Sequence, residues 1–160
     1  MNFRKSFLVL STLALLTSQS ARAWMSFSVV GNVNRDSTAS AVTLGGGLLM
    51  GVHMIDHLML ESGGLFLNTL VPGAPINSIL VPSVLRYYFT REVSLSAGTY
   101  ANFFTSHDIS NEYGWRTGGR VSIQRWFVDG TYSRSFRNTS GDTKNSTIMA
   151  LIGFYLGAVN

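Results

Sequence analysis

Between residues 92 and 104 the chain reads EVSLSAGTYANFF, and apolar and polar positions alternate. Val93, Leu95, Ala97, Thr99, Ala101 and Phe103 fall on one side; Glu92, Ser94, Ser96, Gly98, Tyr100 and Asn102 fall on the other. Period 2 belongs to a β-strand with two unlike faces. The same pattern predicts eight strands, at about 25–33, 41–52, 57–70, 79–89, 92–104, 115–124, 126–136 and 147–158. Long polar connections (34–40, 71–78, 105–113 and 137–146) alternate with short turns near HMID, TR and QR. A soluble meander has no reason to gather its long loops at one end, whereas an outer-membrane barrel has long external loops and short periplasmic turns. The predicted fold class is therefore all-β, an eight-stranded antiparallel up-and-down transmembrane β-barrel.

The two faces decide which side looks inward. Strand one sets Met25, Phe27, Val29 and Val33 against Ser26, Ser28 and Asn32. Strand two sets Val42, Leu44, Leu48, Met50 and Val52 against Thr43, Gly45, Gly47 and Gly51. The second kind of face is too poor in Lys and Glu to be a solvent surface. Lining a tight interior, its small side chains leave room for a few large ones. Aromatic residues gather where strands meet turns: Tyr87, Phe89 and Trp126 at the short-turn end, Phe103, Trp115 and Phe136 at the long-loop end. Two such belts are expected at the two membrane interfaces.

With the polar face inward, Glu61, Arg86, Glu92, Arg120 and Asp129 project into the lumen, and Arg116 lies higher up. Counting from the turns puts an Arg and a carboxylate at one depth on neighbouring strands. Because an unpaired charge in such a place is costly, Glu61–Arg86 and Arg120–Asp129 contacts are expected, fused into one network. Eight strands enclose a space that side chains can fill, so the lumen is expected to be plugged. Pro82 interrupts strand four and calls for a bulge, or for a paired strand that starts after it. Ser62 and Asn68 are polar intrusions on the lipid face of strand three.

Composition agrees with an apolar solvent: only 12% of the 160 residues are charged, against about 25% in soluble domains. MNFRKSFLVLSTLALLTSQSARA has the layout of a cleaved signal peptide over 1–23, leaving 24–160 as the barrel domain. Loss of Arg4, Lys5 and Arg22 takes the 12 Lys+Arg to nine, against eight Asp+Glu. The apparent basicity belongs largely to the leader and gives no case for a nucleic-acid partner. The chain has no cysteine, so an exported fold must hold without disulfides.

The signal peptide, the loop pattern, the alternating strands and the stretch LRYYFTREVSLSAGTYANFF together resemble the small outer-membrane β-barrel proteins of Gram-negative bacteria, such as the OmpA transmembrane domain and OmpX. The resemblance implies location in the cell outer membrane, outer-membrane lipid and lipopolysaccharide as surroundings, and the barrel-assembly machinery as a partner during biogenesis. It implies no cofactor and names no surface ligand. Such barrels commonly end in an aromatic residue, whereas this chain ends GFYLGAVN.

Two segments raise chemical alternatives. HMIDH places His53 and His57 around Asp56, but in a turn and without the glutamate of the helical zinc motif, so no metal site is expected. SHDISNE carries His107, Ser110 and Glu112, the residue types of a hydrolytic triad. It loosely resembles the His-x-Ser-Asn element of the outer-membrane lipid A deacylase. One additional residue separates His from Ser here, which on a strand turns them to opposite faces. The expectation is a non-enzyme with a structural or surface-interaction role. The alternatives are a lipid A-modifying hydrolase and a soluble periplasmic barrel with its apolar face around a ligand.

Overall fold

The computed structural model describes residues 23–36, 39–70, 75–105, 110–136 and 146–156; for 23–36 and 39–42 it describes the backbone and its pairing. The expected leader, apart from Ala23, lies outside these residues. Described strands are β1 (Ala23–Asp36), β2 (Ala39–Ile55), β3 (Leu58–Leu70), β4 (Ile76–Tyr88), β5 (Val93–Phe104), β6 (Glu112–Ile123), β7 (Trp126–Ser135) and β8 (Ser146–Tyr155). From β2 to β8, seven strands form one antiparallel up-and-down sheet, each paired with the next in sequence. The backbone of β1 lies between the ends of this sheet. It pairs with β2 from Ala23↔Val52 to Asp36↔Ala39, and with β8 from Ser26↔Tyr155 to Asn32↔Met149.

The alternation read from the sequence sorts the side chains as a pleated ladder must. Leu48, Phe66, Ile79, Leu95, Val121, Val128 and Ile152 lie on the outer surface, each exposed. Opposite them, the interior is layered. Nearest the short turns, Met59, Phe127 and Tyr155 pack together with Tyr88 against them. Beyond the charged layer described below comes an aliphatic one, Leu49, Leu65, Leu67, Leu80 and Leu151, with Tyr100 and Met149. Among the described residues the reverse arrangement, with apolar faces inward around a ligand, is not found.

Glycine makes this tight interior possible at defined places. A Cβ on Gly153 would land inside the ring of Phe127, and one on Gly47 would meet the Gly64 carbonyl oxygen. At these two positions only a bare backbone leaves room for the neighbouring strand or ring.

Several expected boundaries shift. Strands β1 and β2 extend into the expected loop 34–40: Asn34, Arg35 and Asp36 pair with Ala41, Ser40 and Ala39. Ladder hydrogen bonds are made by backbone groups, so polar residues prolong a strand that hydropathy would end. β4 likewise begins at Ile76, within the expected loop 71–78, and β6 at Glu112, within 105–113. The central parts of the loops, including 71–74, 106–109 and 137–145, lie outside the described residues. Pro82 is accommodated by neither expected device. It pairs with Tyr100 of β5, while on the β3 side pairing lapses between Ser62↔Ser83 and Leu65↔Leu80 without a change of register. The Ser62 hydroxyl donates to the Pro82 carbonyl at 2.8 Å, and Asn68 Nδ2 donates to Asn77 Oδ1 at 2.6 Å, so both polar intrusions of β3 are satisfied locally.

Candidate functional site

Four strands deliver the charged layer. Glu61 comes from β3, Arg86 from β4, Arg120 from β6 and Asp129 from β7, all inward and all nearly inaccessible. Asp129 stands directly opposite Arg120 in the ladder. Arg86 faces Met59, and Glu61 faces Val84, so the Arg86–Glu61 contact is diagonal, one pleat out of register. Arg86 Nη2 donates to Glu61 Oε1 at 3.1 Å and to Asp129 Oδ2 at 2.6 Å. Arg120 reaches Asp129 Oδ2 through Nε (3.1 Å) and Nη2 (2.8 Å), and Glu61 Oε1 through Nη2 at 3.0 Å. Its Nη1 lies 2.8 Å from Glu61 Oε2.

The two expected pairs are thus joined crosswise into one closed cluster of two cations and two anions. Each carboxylate is shared by both guanidinium groups, so neither arginine depends on a single partner. Sequence reasoning missed the groups that hold this cluster in place. Arg86 Nη1 donates to the Ser94 hydroxyl at 3.2 Å, and the Arg120 guanidinium carbon stands 4.0 Å from the centre of the Phe127 ring. The Tyr155 hydroxyl lies 3.2 Å from Ser122 Oγ and 3.5 Å from Arg120 Nη1. Phe127 was identifiable as inward from its parity with Asp129, two residues on in the same strand.

Glu92 is a correction: it does not enter the lumen. It sits exposed in the β4–β5 turn, where Thr90 Oγ1 donates to its carboxylate at 3.0 Å and accepts the Glu92 and Val93 N–H groups, each at 3.1 Å. This side-chain-to-backbone turn ends the alternation before Val93, and counting by twos through a turn fails.

Arg116 is buried four residues above Arg120, and its Nη1 contacts Met149 Sδ at 3.9 Å. Of the hydrolytic candidates, Ser110 is exposed ahead of β6, and Glu112 opens β6, engaged by the hydroxyls of Tyr100 and Ser135. His107 lies outside the described residues. At the short turns Asp56 and His57 are exposed, and the His57 and Tyr87 rings are 6.1 Å apart. Among the described residues no group of three or more His, Cys, Asp or Glu could hold a metal ion.

The aromatic residues on the outer face form two clusters. At the short-turn end, Tyr87 meets Phe89 edge-on at 5.1 Å and Trp126 meets Phe154 at 5.1 Å. At the opposite end, Phe103 meets Tyr113 at 6.2 Å and Trp115 meets Tyr132 at 5.3 Å, with Phe136 exposed beyond β7. Tyr132 and Phe154 belong to these clusters although turn proximity alone did not mark them.

No family model matches the chain, and no curated protein matches it. Solved structures do. A computationally designed barrel from the work titled "De novo design of transmembrane beta-barrels" aligns over 83% of this chain and 95% of its own, at 13% identity and a TM-score of 0.58. The Yersinia pestis outer membrane protein Ail, in a phospholipid bilayer nanodisc, aligns over 84% of this chain and 100% of its own, at 14% identity and a TM-score of 0.57. The chain is similar in fold to transmembrane β-barrels.

Proposed function

We propose that the chain is an eight-stranded closed β-barrel integral to the outer membrane, with a lumen plugged by its side chains. In this reading it has no catalytic chemistry, and its role is structural or surface-interacting, carried by the segments joining strands at the long-loop end. One observation carries the reading. The sheet is inside out for water: aliphatic side chains cover the outer face while three arginines and two carboxylates are sealed within. Such an outer face suits hydrocarbon, and two aromatic clusters at its margins suit the two interfaces. Pairing of β1 with both β2 and β8 supports closure, which leaves no edge strand exposed to lipid. The cross-linked charge cluster supports a plugged lumen. The fold shared with Ail supports an outer-membrane setting.

Gel mobility of the protein from isolated outer membranes, with and without boiling in SDS, tests the proposal. A closed lipid-embedded barrel keeps its compact form in cold SDS and shifts on boiling. A soluble periplasmic protein without a shift would overturn it. The surface role has its own test: a barrel with residues 106–109 and 137–145 shortened must lose adhesion or ligand capture while still showing the heat-dependent shift.

A further inference from the structure

Arg116 is the buried arginine outside the charge cluster, with the Glu61 and Asp129 carboxylates acting on it at longer range. The cluster below it is neutral by itself, two arginines against two carboxylates, and Glu112 above is engaged by Tyr100 and Ser135. Arg116 is 4% exposed and makes no ion pair among the described residues. Its recorded acceptor is a thioether, the weakest acceptor available to a group with five N–H donors. A guanidinium so deeply buried calls for a negative partner.

The surroundings offer polar groups in place of a carboxylate. Ser133 stands directly opposite Arg116 in the β6–β7 ladder, is 2% exposed, and its hydroxyl has no hydrogen-bond partner. The Arg116 side chain reaches from β6 across β7 to Met149 on β8, which stands opposite Thr131, two residues from Ser133 on the same face. Its other cross-strand neighbour is Gly98, and Gly114 and Gly118 flank it along β6, so no bulky side chain of these positions competes for its donors. Asp129 Oδ1 is also without a donor, but its carboxylate is already shared by Arg86 and Arg120.

We propose that Arg116 and Ser133 form an anion-binding site inside the barrel, taking a small monovalent inorganic anion of the halide class. The guanidinium supplies the charge and directed N–H donors, and the Ser133 hydroxyl turns its proton toward the same point. Only a small ion suits a place walled by the Tyr100 ring at Gly114 and by Thr131 at Gly118. The site is independent of what the external loops bind, and it follows from the inward polar face whether or not a pore conducts.

The first test uses the wild-type protein refolded in detergent and crystallised from sodium bromide. An anomalous peak within hydrogen-bonding distance of Arg116 is expected, and a bromide-saturated crystal with no peak there overturns the proposal. The second measures the midpoint of the heat-dependent gel shift at constant ionic strength, with gluconate exchanged for chloride. A ligand that binds only the folded state raises that midpoint, here by about 5 °C at saturation. Ser133→Ala, which removes one small group, is expected to weaken the chloride dependence, and Arg116→Gln to abolish it. A halide-independent midpoint in the wild type, or an undiminished halide effect in Arg116→Gln, sinks the site. If Arg116→Gln fails to fold, Ser133→Ala and the bromide peak still decide.

Discussion

Glu61 and Leu65 lie four residues apart on one strand, face the same interior and are almost equally buried, at 3% and 0% exposure. One belongs to a layer of charges, the other to a layer of leucines. Burial alone therefore does not tell which chemistry fills the inside of this sheet. The leucine layer tolerates imprecision, because dispersion and area burial are non-directional. The charged layer does not, because each carboxylate must sit within reach of two guanidinium groups. The comparison predicts that the lower layer sets the register of β3, β4, β6 and β7, while the upper layer fills volume.

Removing one member of each layer breaks the comparison most sharply. Asp129→Ala leaves Arg86 and Arg120 sharing one carboxylate and is expected to cost about 3–5 kcal/mol. Denaturant unfolding in detergent or liposomes reads this loss. Replacing all four charged residues by apolar ones of similar volume is expected to restore most of it, since no charge is then stranded. Leu65→Ala creates a cavity and is expected to cost about 2–4 kcal/mol in the same assay, with no such rescue by changes in the lower layer. A smaller loss for Asp129→Ala than for Leu65→Ala would mean that the charges are dispensable filling.

The contrast between inside and outside is sharpened by moving an arginine across the wall. Leu48, in the middle of β2, points outward at 47% exposure. Leu48→Arg is expected to cost about 2–4 kcal/mol in a bilayer and far less in a detergent-free soluble form, so folding yield into liposomes measures which solvent covers this face. Gly153→Ala places a methyl group where the Phe127 ring lies, and about 1–3 kcal/mol of overpacking strain is expected. Phe127→Leu in the same chain should relieve it, as two-variant unfolding curves would show. The smallest effect belongs to the β6–β7 turn. Gln124 holds φ at 55°, a left-handed conformation; Gln124→Gly is expected to stabilise by up to about 1 kcal/mol, read as a later unfolding midpoint.

Much of this arrangement was legible in the chain. Successive side chains on a strand must point to opposite sides, so hydropathy parity assigned Leu95 and Val128 outward and Ser96 and Asp129 inward with no tertiary information. Residue type then marked Glu61, Arg86, Arg120 and Asp129 as mutual partners. Glu92 shows the limit of that logic. Its parity is right for the interior, but the Thr90 hydroxyl gathers the turn and β5 begins one residue later, at Val93. Segment 34–40 shows another limit, since its polar residues carry no apolar signal although their backbones pair. The tolerance of Pro82 depends on a local lapse in the β3–β4 ladder that no single-strand pattern announces.

What the sequence determines by itself is therefore the sidedness of each strand and the identity of the charged groups, because both follow from local stereochemistry and from side-chain chemistry. Only the tertiary structure decides that Arg86 reaches Asp129, 43 residues away, and that Arg120 reaches Glu61, 59 residues away. Those contacts depend on the curvature and register that bring four strands around one point. The same register sets Arg116 opposite Ser133 in the β6–β7 ladder.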